Sequence, residues 1–228
     1  MTDLVERVVN VAYDGKIESF TYLAAKELLN NRDNVEFTGC SSMKEVLKQM
    51  DRNEATYGVL ALESSLHGSI HGVYDALLNY DGNAAIVAEL GKGEDHCFCV
   101  PASGDLYLCS EVYGHPMTLE TCSEFLVELD LNRAAKGLPS LRRTFTSDSV
   151  DACIAARAAS SKERGAYAAA IASKEAAQSY NLVVGARGVG NDKNAEVGCI
   201  QFCLSVMEIL SIITLLMPTI YSFVRLGT

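Results

Sequence analysis

No run of lysine or arginine longer than two occurs in these 228 residues, and the formal net charge is −10. Nucleic acid is thereby excluded as a partner, because binding a polyphosphate needs clustered cations that displace its counterions. A Cys-x-x-Cys pair is also missing: the eight cysteines, at 40, 97, 99, 109, 122, 153, 199 and 203, mostly sit inside apolar runs such as Cys97-Phe98-Cys99. None of the four histidines is spaced as a ligand around a cysteine pair, so no metal site is expected. The thiols read instead as reduced core residues of an intracellular, cytoplasmic protein. The opening Met1-Thr2-Asp3-Leu4-Val5-Glu6-Arg7 has neither an apolar signal core nor the Arg- and Ser-rich composition of a transit peptide. Internal repeats and long low-complexity segments are absent too, and a 49% hydrophobic content supplies the core of one large domain or two small lobes.

What the chain does have is a repeated change of period. Residues 8–13, 35–38 and 57–62 are strand-like, while Phe20, Leu23, Ala24 and Leu28 recur at helical spacing. Ser42-Met43-Lys44-Glu45 reads as a capping box for a helix carrying Val46, Leu47 and Met50. A further helix from Ser69 is expected to show Ile70, Val73, Tyr74, Leu77 and Leu78 on one face. Strands follow at 84–90 and 96–100, then a helix from about Thr118 presenting Leu119, Cys122, Leu126 and Leu129, and another over 148–159. Residues 167–171 and 182–185 are strand candidates around a short helix at 173–180, with 91–94 and 133–140 read as loops. Such β–α alternation predicts an α/β protein with largely parallel sheets.

One stretch concentrates polar chemistry. The apolar run from Tyr57 to Leu62 ends in Glu63-Ser64-Ser65, followed by Gly68-Ser69-Ile70 and a helical pattern. A strand emptying into a polar loop at a helix start is a common place to hold a small anion, since free N–H groups and the helix dipole face the gap. Glu63 can serve as acid, base or orienting acceptor, or it can stiffen the turn by accepting loop N–H groups. Ser69 reads equally as a plain N-cap. His115, fixed ahead of Pro116, is either a catalytic acid or a hydrogen-bonded structural residue. His96 has the structural reading more strongly. The glycine-rich Gly185-Ala186-Arg187-Gly188-Val189-Gly190 lacks the strand–turn–helix context of a nucleotide loop and reads as a connection.

Taken in order, these segments resemble the catalytic domain of prephenate dehydratases and their arogenate-using relatives. Asp14-Gly15-Lys16-Ile17-Glu18-Ser19-Phe20 resembles the family's Gly-Pro-x-Gly-Thr-Phe loop, and Glu63-Ser64-Ser65 with Gly68-Ser69 its Glu-Asn-Ser…Gly-Ser motif. Glu89 with His96-Cys97 resembles Gly-Glu…His-Cys-Leu, and Gly114-His115-Pro116 with Cys122 resembles Ser-His-Pro…Gln-Cys. Ala169-Ala170-Ile171-Ala172-Ser173 and Tyr180 complete the series. The resemblance implies a two-lobed type II periplasmic-binding-protein-like fold over residues 1–204. Lobe 1 would hold about 1–90 plus 181–204 and lobe 2 about 91–180, with a substrate cleft between them. It implies a cofactor-free lyase, associating as a homodimer, that converts prephenate to phenylpyruvate, water and CO2 in L-phenylalanine biosynthesis. Glu63, Ser64, Ser65, Gly68, Ser69 and His115 would bind the dicarboxylate substrate. The alternatives are a catalytically silent binding or regulatory remnant of the same fold and a solute-binding protein.

The chain departs from the family where Val197-Gly198-Cys199 occupies the position of Thr-Arg-Phe, leaving Arg187 the nearest basic candidate. No ACT regulatory domain is recognisable. Residues 205–228 form instead an apolar tail whose uncharged core, 209–224, is 16 residues long, short of the roughly 20 that span a bilayer. It reads as a buried or partner-packing helix, a membrane-associated helix, or read-through of a faulty gene model.

Overall fold

The computed structural model describes residues 8–203 apart from 81, 83, 84, 103, 105 and 161–166. The tail expected at 205–228 lies outside the described residues.

The first lobe opens with β1 (Val9–Asp14), α1 (Phe20–Leu28), β2 (Val35–Cys40), α2 (Met43–Asp51) and β3 (Tyr57–Ser64). A two-residue strand, β4 (Gly68–Ser69), folds back on β3 before α3 (His71–Leu78) and β5 (Ala85–Gly93). Strand alternation sorts the apolar side chains to the two faces. Ala12 and Leu60 pack under α2 and α3 with Val46, Met50 and Val73. Val11, Tyr13, Tyr57 and Val59 pack on the opposite face with Ala25 of α1 and with Leu29, which caps its C-terminus. Ser19 and Ser42 accept hydrogen bonds from Tyr22 and Glu45, satisfying N–H groups that the first helical turn leaves free.

The second lobe contains β6 (Cys97–Pro101), β7 (Cys109–Gly114), α4 (Pro116–Thr121), α5 (Ser123–Ala135) and β8 (Arg142–Phe145). It continues with α6 (Ser149–Ser160), β9 (Tyr167–Ala172), α7 (Lys174–Ser179) and β10 (Leu182–Ala186). Its sheet has the order β10-β6-β9-β7-β8, with β9, β7 and β8 parallel and β6 antiparallel to both its neighbours, β10 and β9. The chain then returns to the first lobe as β11 (Glu196–Cys203), inserted between β3 and β5, so that sheet runs β2-β1-β3-β11-β5. Two α/β lobes with a cleft between them are therefore present as expected, the first built from discontinuous chain and the second from one continuous stretch. The crossing back comes later than residue 181, because β10 pairs with β6 in the second sheet.

Several local expectations change. Residues 91–93 are not a loop, since β5 runs through Gly93 and pairs there with Glu196. Ser69 is not an N-cap: it pairs with Glu63 in β4, and α3 starts at His71 behind Ile70 without a side-chain cap. Leu78 ends α3 and is 83% exposed rather than part of its buried face. The helix expected from Thr118 is two helices meeting at Cys122. Asn191, on the returning connection, explains the break. Its backbone N–H binds the Thr121 carbonyl at 2.7 Å, and its side-chain oxygen accepts from Glu124 N–H at 3.0 Å, so both cut helix ends find a partner. Leu119, Cys122, Leu126 and Leu129 are nevertheless all buried, as their spacing predicts.

Candidate active site

Two adjoining cavities occupy the cleft. The smaller, about 250 Å3, is walled by Ser64, His67 and Glu94 on one side and by His115, Thr118 and Thr121 on the other. The larger, about 700 Å3, includes Asp14, Lys16, Ser42 and Asp148. Phe20, Thr21, His115 and Thr118 line both, which makes the cleft continuous.

The placement of Ser64 follows from a defect in strand pairing. Opposite β3, the register of β11 shifts between Gly198, which faces Glu63, and Cys199, which faces Ala61. Leu62 is thus the extra residue of a bulge, and the alternation of side chains slips by one. Ala61 and Ser64 both reach the smaller cavity, whereas Glu63 points to the other side of the sheet. Glu63 and Ser65 line a neighbouring groove with Glu89 and Glu196, which shares Ser64 and Cys199 with the smaller cavity. Ser65 is held by the backbone of Glu196, giving its N–H to that carbonyl at 2.9 Å and accepting from that N–H at 3.0 Å. Ser64 accepts from Leu66 N–H at 3.3 Å, a local turn bond. Gly68 and Ser69 are exposed on the hairpin edge and line neither cleft cavity. Of the six residues expected to bind substrate, then, the cleft brings together Ser64 and His115.

His115 sits between β7 and Pro116 with an extended backbone (φ −62°, ψ 142°), as a residue before proline must. Burial lowers its pKa, with Asp148 opposing and His67 reinforcing the shift, which favours the neutral imidazole. His67, on the turn between β3 and β4, reaches across the cleft to Thr121, Nε2 to Oγ1 at 2.9 Å. Thr121 gives its own proton to the Met117 carbonyl at 2.9 Å, so its oxygen accepts from His67 and Nε2 is the protonated nitrogen. Lys16 spans the larger cavity to Asp151 and, at 3.6 Å, to Asp148. The hydrogen bond with Asp151 raises the lysine pKa and lowers that of the aspartate. With Lys16 47% exposed, this bridge contributes at most about 1 kcal/mol.

Sequence reasoning missed Glu94, and His96 appeared only as a structural residue. His96 is 2% exposed, with neither ring nitrogen hydrogen-bonded among the described residues, and burial brings its pKa down to about 4. Glu94 lines the smaller cavity beside it, 3.8 Å from His96 Nε2, too far for a hydrogen bond. Burial raises the Glu94 pKa, partly offset by His67. The polar run Gly91-Lys92-Gly93-Glu94 concealed this carboxyl, because nothing in it announces burial. At the position of Thr-Arg-Phe, Val197 and Cys199 add apolar wall to the cavity, and Arg187 lines neither cleft cavity. Among the described residues no group of three or more His, Cys, Asp or Glu could hold a metal ion.

Fold and site together define a two-lobed α/β protein whose cleft is walled by both lobes. The sequence narrows that class: the family model described as prephenate dehydratase matches residues 11–197, and the chain belongs to that family. A bifunctional chorismate mutase/prephenate dehydratase of Enterobacter agglomerans is 28% identical over 200 residues, covering 87% of this chain and 48% of the relative. The chloroplastic arogenate dehydratase/prephenate dehydratase 2 of Arabidopsis thaliana is 30% identical over 184 residues, covering 81% and 43%. This chain thus spans about half, or less, of the length of such curated relatives. Prephenate dehydratase from Arthrobacter aurescens, solved in complex with L-Phe, shares the fold with a TM-score of 0.71 at 18% identity, covering 86% of this chain and 61% of that one.

Proposed function

We propose that this chain is a carbon–oxygen lyase acting on prephenate, releasing its ring hydroxyl as water and its ring carboxylate as CO2 to give phenylpyruvate for L-phenylalanine synthesis. The observation that carries this reading is the makeup of the cleft rim. Phe20 and Thr21 of α1, Ser42 and Met43 at the start of α2, and Ser149 of α6 all line it. Helix N-termini offer free N–H groups and the positive end of the dipole, which suits a dianion in a chain whose net charge is negative. Lys16 and Lys92 are the lysines on its walls. Once the two carboxylates are held, aromatisation drives the reaction, and the protein has only to protonate the departing hydroxyl.

The test is phenylpyruvate formation from prephenate by the purified chain, with phenylalanine formation from arogenate measured alongside. Turnover of prephenate supports the assignment. Turnover of arogenate alone reassigns the substrate, and binding of either without turnover identifies a silent module. The homodimer expected for the family is checked by sedimentation of the same preparation.

A further inference from the structure

We propose that Glu94 is the proton donor to the leaving hydroxyl, a role that rests on the dehydratase reading above. Glu94 is the one carboxyl among the residues described as lining the smaller cavity. Its side chain is 13% exposed, and its Oε2 is buried with no hydrogen-bond partner among the described residues. The backbone around it is pinned: Glu94 N–H binds the Ala195 carbonyl at 2.9 Å, and His96 N–H binds the Glu94 carbonyl at 3.0 Å. The main chain that carries Glu94 is therefore held at the cavity wall, and the carboxyl it presents there has one oxygen, Oε2, enclosed by protein without a partner among the described residues.

Among the residues of the smaller cavity, the rival donors are poorer. The Nε2 proton of His67 is committed to Thr121, His115 is held toward its neutral form, and threonine hydroxyls are far weaker acids. The groups facing Glu94 from neighbouring elements are His67 on the hairpin, His96 beside it, Cys122 at the helix junction and Cys199 on β11. Burial keeps His96 neutral and the two thiols protonated, so apart from His67 these supply no charge that would strip Glu94 of its proton. A bound dicarboxylate adds negative charge nearby and strengthens that preference.

In the step itself, the ring C–O bond breaks and its oxygen leaves as water with the Glu94 proton. The C–CO2 bond breaks at the same time, and its electron pair enters the ring, completing the aromatic system. Glu94 is left as a carboxylate and recovers its proton from solvent. Elimination thus consumes one proton and needs no other reagent.

The experiment compares wild type with E94Q and E94D in kcat, KM and pH profile, with phenylpyruvate binding measured by titration calorimetry. An acid must be protonated to act, so wild-type kcat falls as pH rises above the ordinary carboxylate range. In E94Q, kcat falls about 100-fold or more, phenylpyruvate affinity is kept, and the alkaline limb disappears. Wild-type turnover with E94Q retaining near-normal kcat, or the same alkaline limb, overturns the donor role and leaves the dehydratase reading intact. A wild-type chain inactive on both substrates overturns the dehydratase reading itself and takes the donor role with it. Should E94Q not fold, E94D decides: a reduced kcat with a displaced limb supports the role, and an unchanged profile refutes it.

Discussion

Replacing His96 by leucine should flatten the acid side of the stability curve. In the native protein His96 titrates at about 4, because burial disfavours the imidazolium, whereas an unfolded chain titrates near 6.5. The folded-state pKa is the lower one, so between these values the unfolded state binds more protons and stability declines as pH falls. Each unit of pKa difference corresponds to about 1.4 kcal/mol. The whole effect is therefore roughly 3 kcal/mol, and moving from pH 7 to pH 5 already removes about 2 kcal/mol. Below the native value the loss levels off. Glu94, with its pKa raised, contributes with the opposite sign, losing stability as pH rises through its native value, and it is common to both proteins. Leucine is of similar size, and neither nitrogen of His96 has a hydrogen-bond partner among the described residues, so the substitution abandons no such bond. Its loss is the edge-on contact with Phe20, ring centroids 5.2 Å apart. Urea unfolding of both proteins at pH 7 and pH 5 gives the answer as a difference of differences. If wild type and H96L lose the same stability over that interval, His96 is not a buried neutral base and the electrostatic reading of its surroundings is wrong.

Two further outcomes are expected. Glu18 adopts φ 70° in the loop after β1, where the family resemblance places a glycine; E18G should raise stability by roughly 0.5–1 kcal/mol in urea unfolding, relief of the left-handed strain outweighing the greater freedom of unfolded glycine. All eight cysteines are buried and outside any disulfide, and burial pushes the Cys97 and Cys199 thiols up to about 11 and those of Cys122 and Cys153 to about 12; a chromogenic disulfide reagent at pH 8 should react with almost none in the native protein and with all eight in denaturant, and fast native labelling at those positions would contradict the packing.

Periodicity made the α/β architecture legible, since strands such as β1 and β3 and helices such as α2 carry their burial in the order of their residues. What escaped was set by contacts distant in sequence. The break at Cys122 needs Asn191, far along the chain, to take both severed helix ends. The turning of Glu63 away from the cleft needs the shift against Gly198, whose partner strand lies over a hundred residues downstream. Motif order therefore located the correct edge of the correct strand, but a one-residue bulge decided which side chain faces the cavity. Glu94 was illegible for a related reason: β5 runs to Gly93 only because Glu196 is there to pair with it.

The insertion of β11 between β3 and β5 also bears on how the protein is made. On a ribosome, the strand that joins those two is the last described element to emerge, after the whole second lobe. Until then β3 and β5 have no central partner, and Leu60 and Val59 lack the Ile200, Phe202 and Cys203 that complete their packing. Pairings so distant in sequence close slowly and leave apolar strand edges open meanwhile. Nascent chains stalled before residue 196 should accordingly depend on chaperones, and the first lobe should mature after the second.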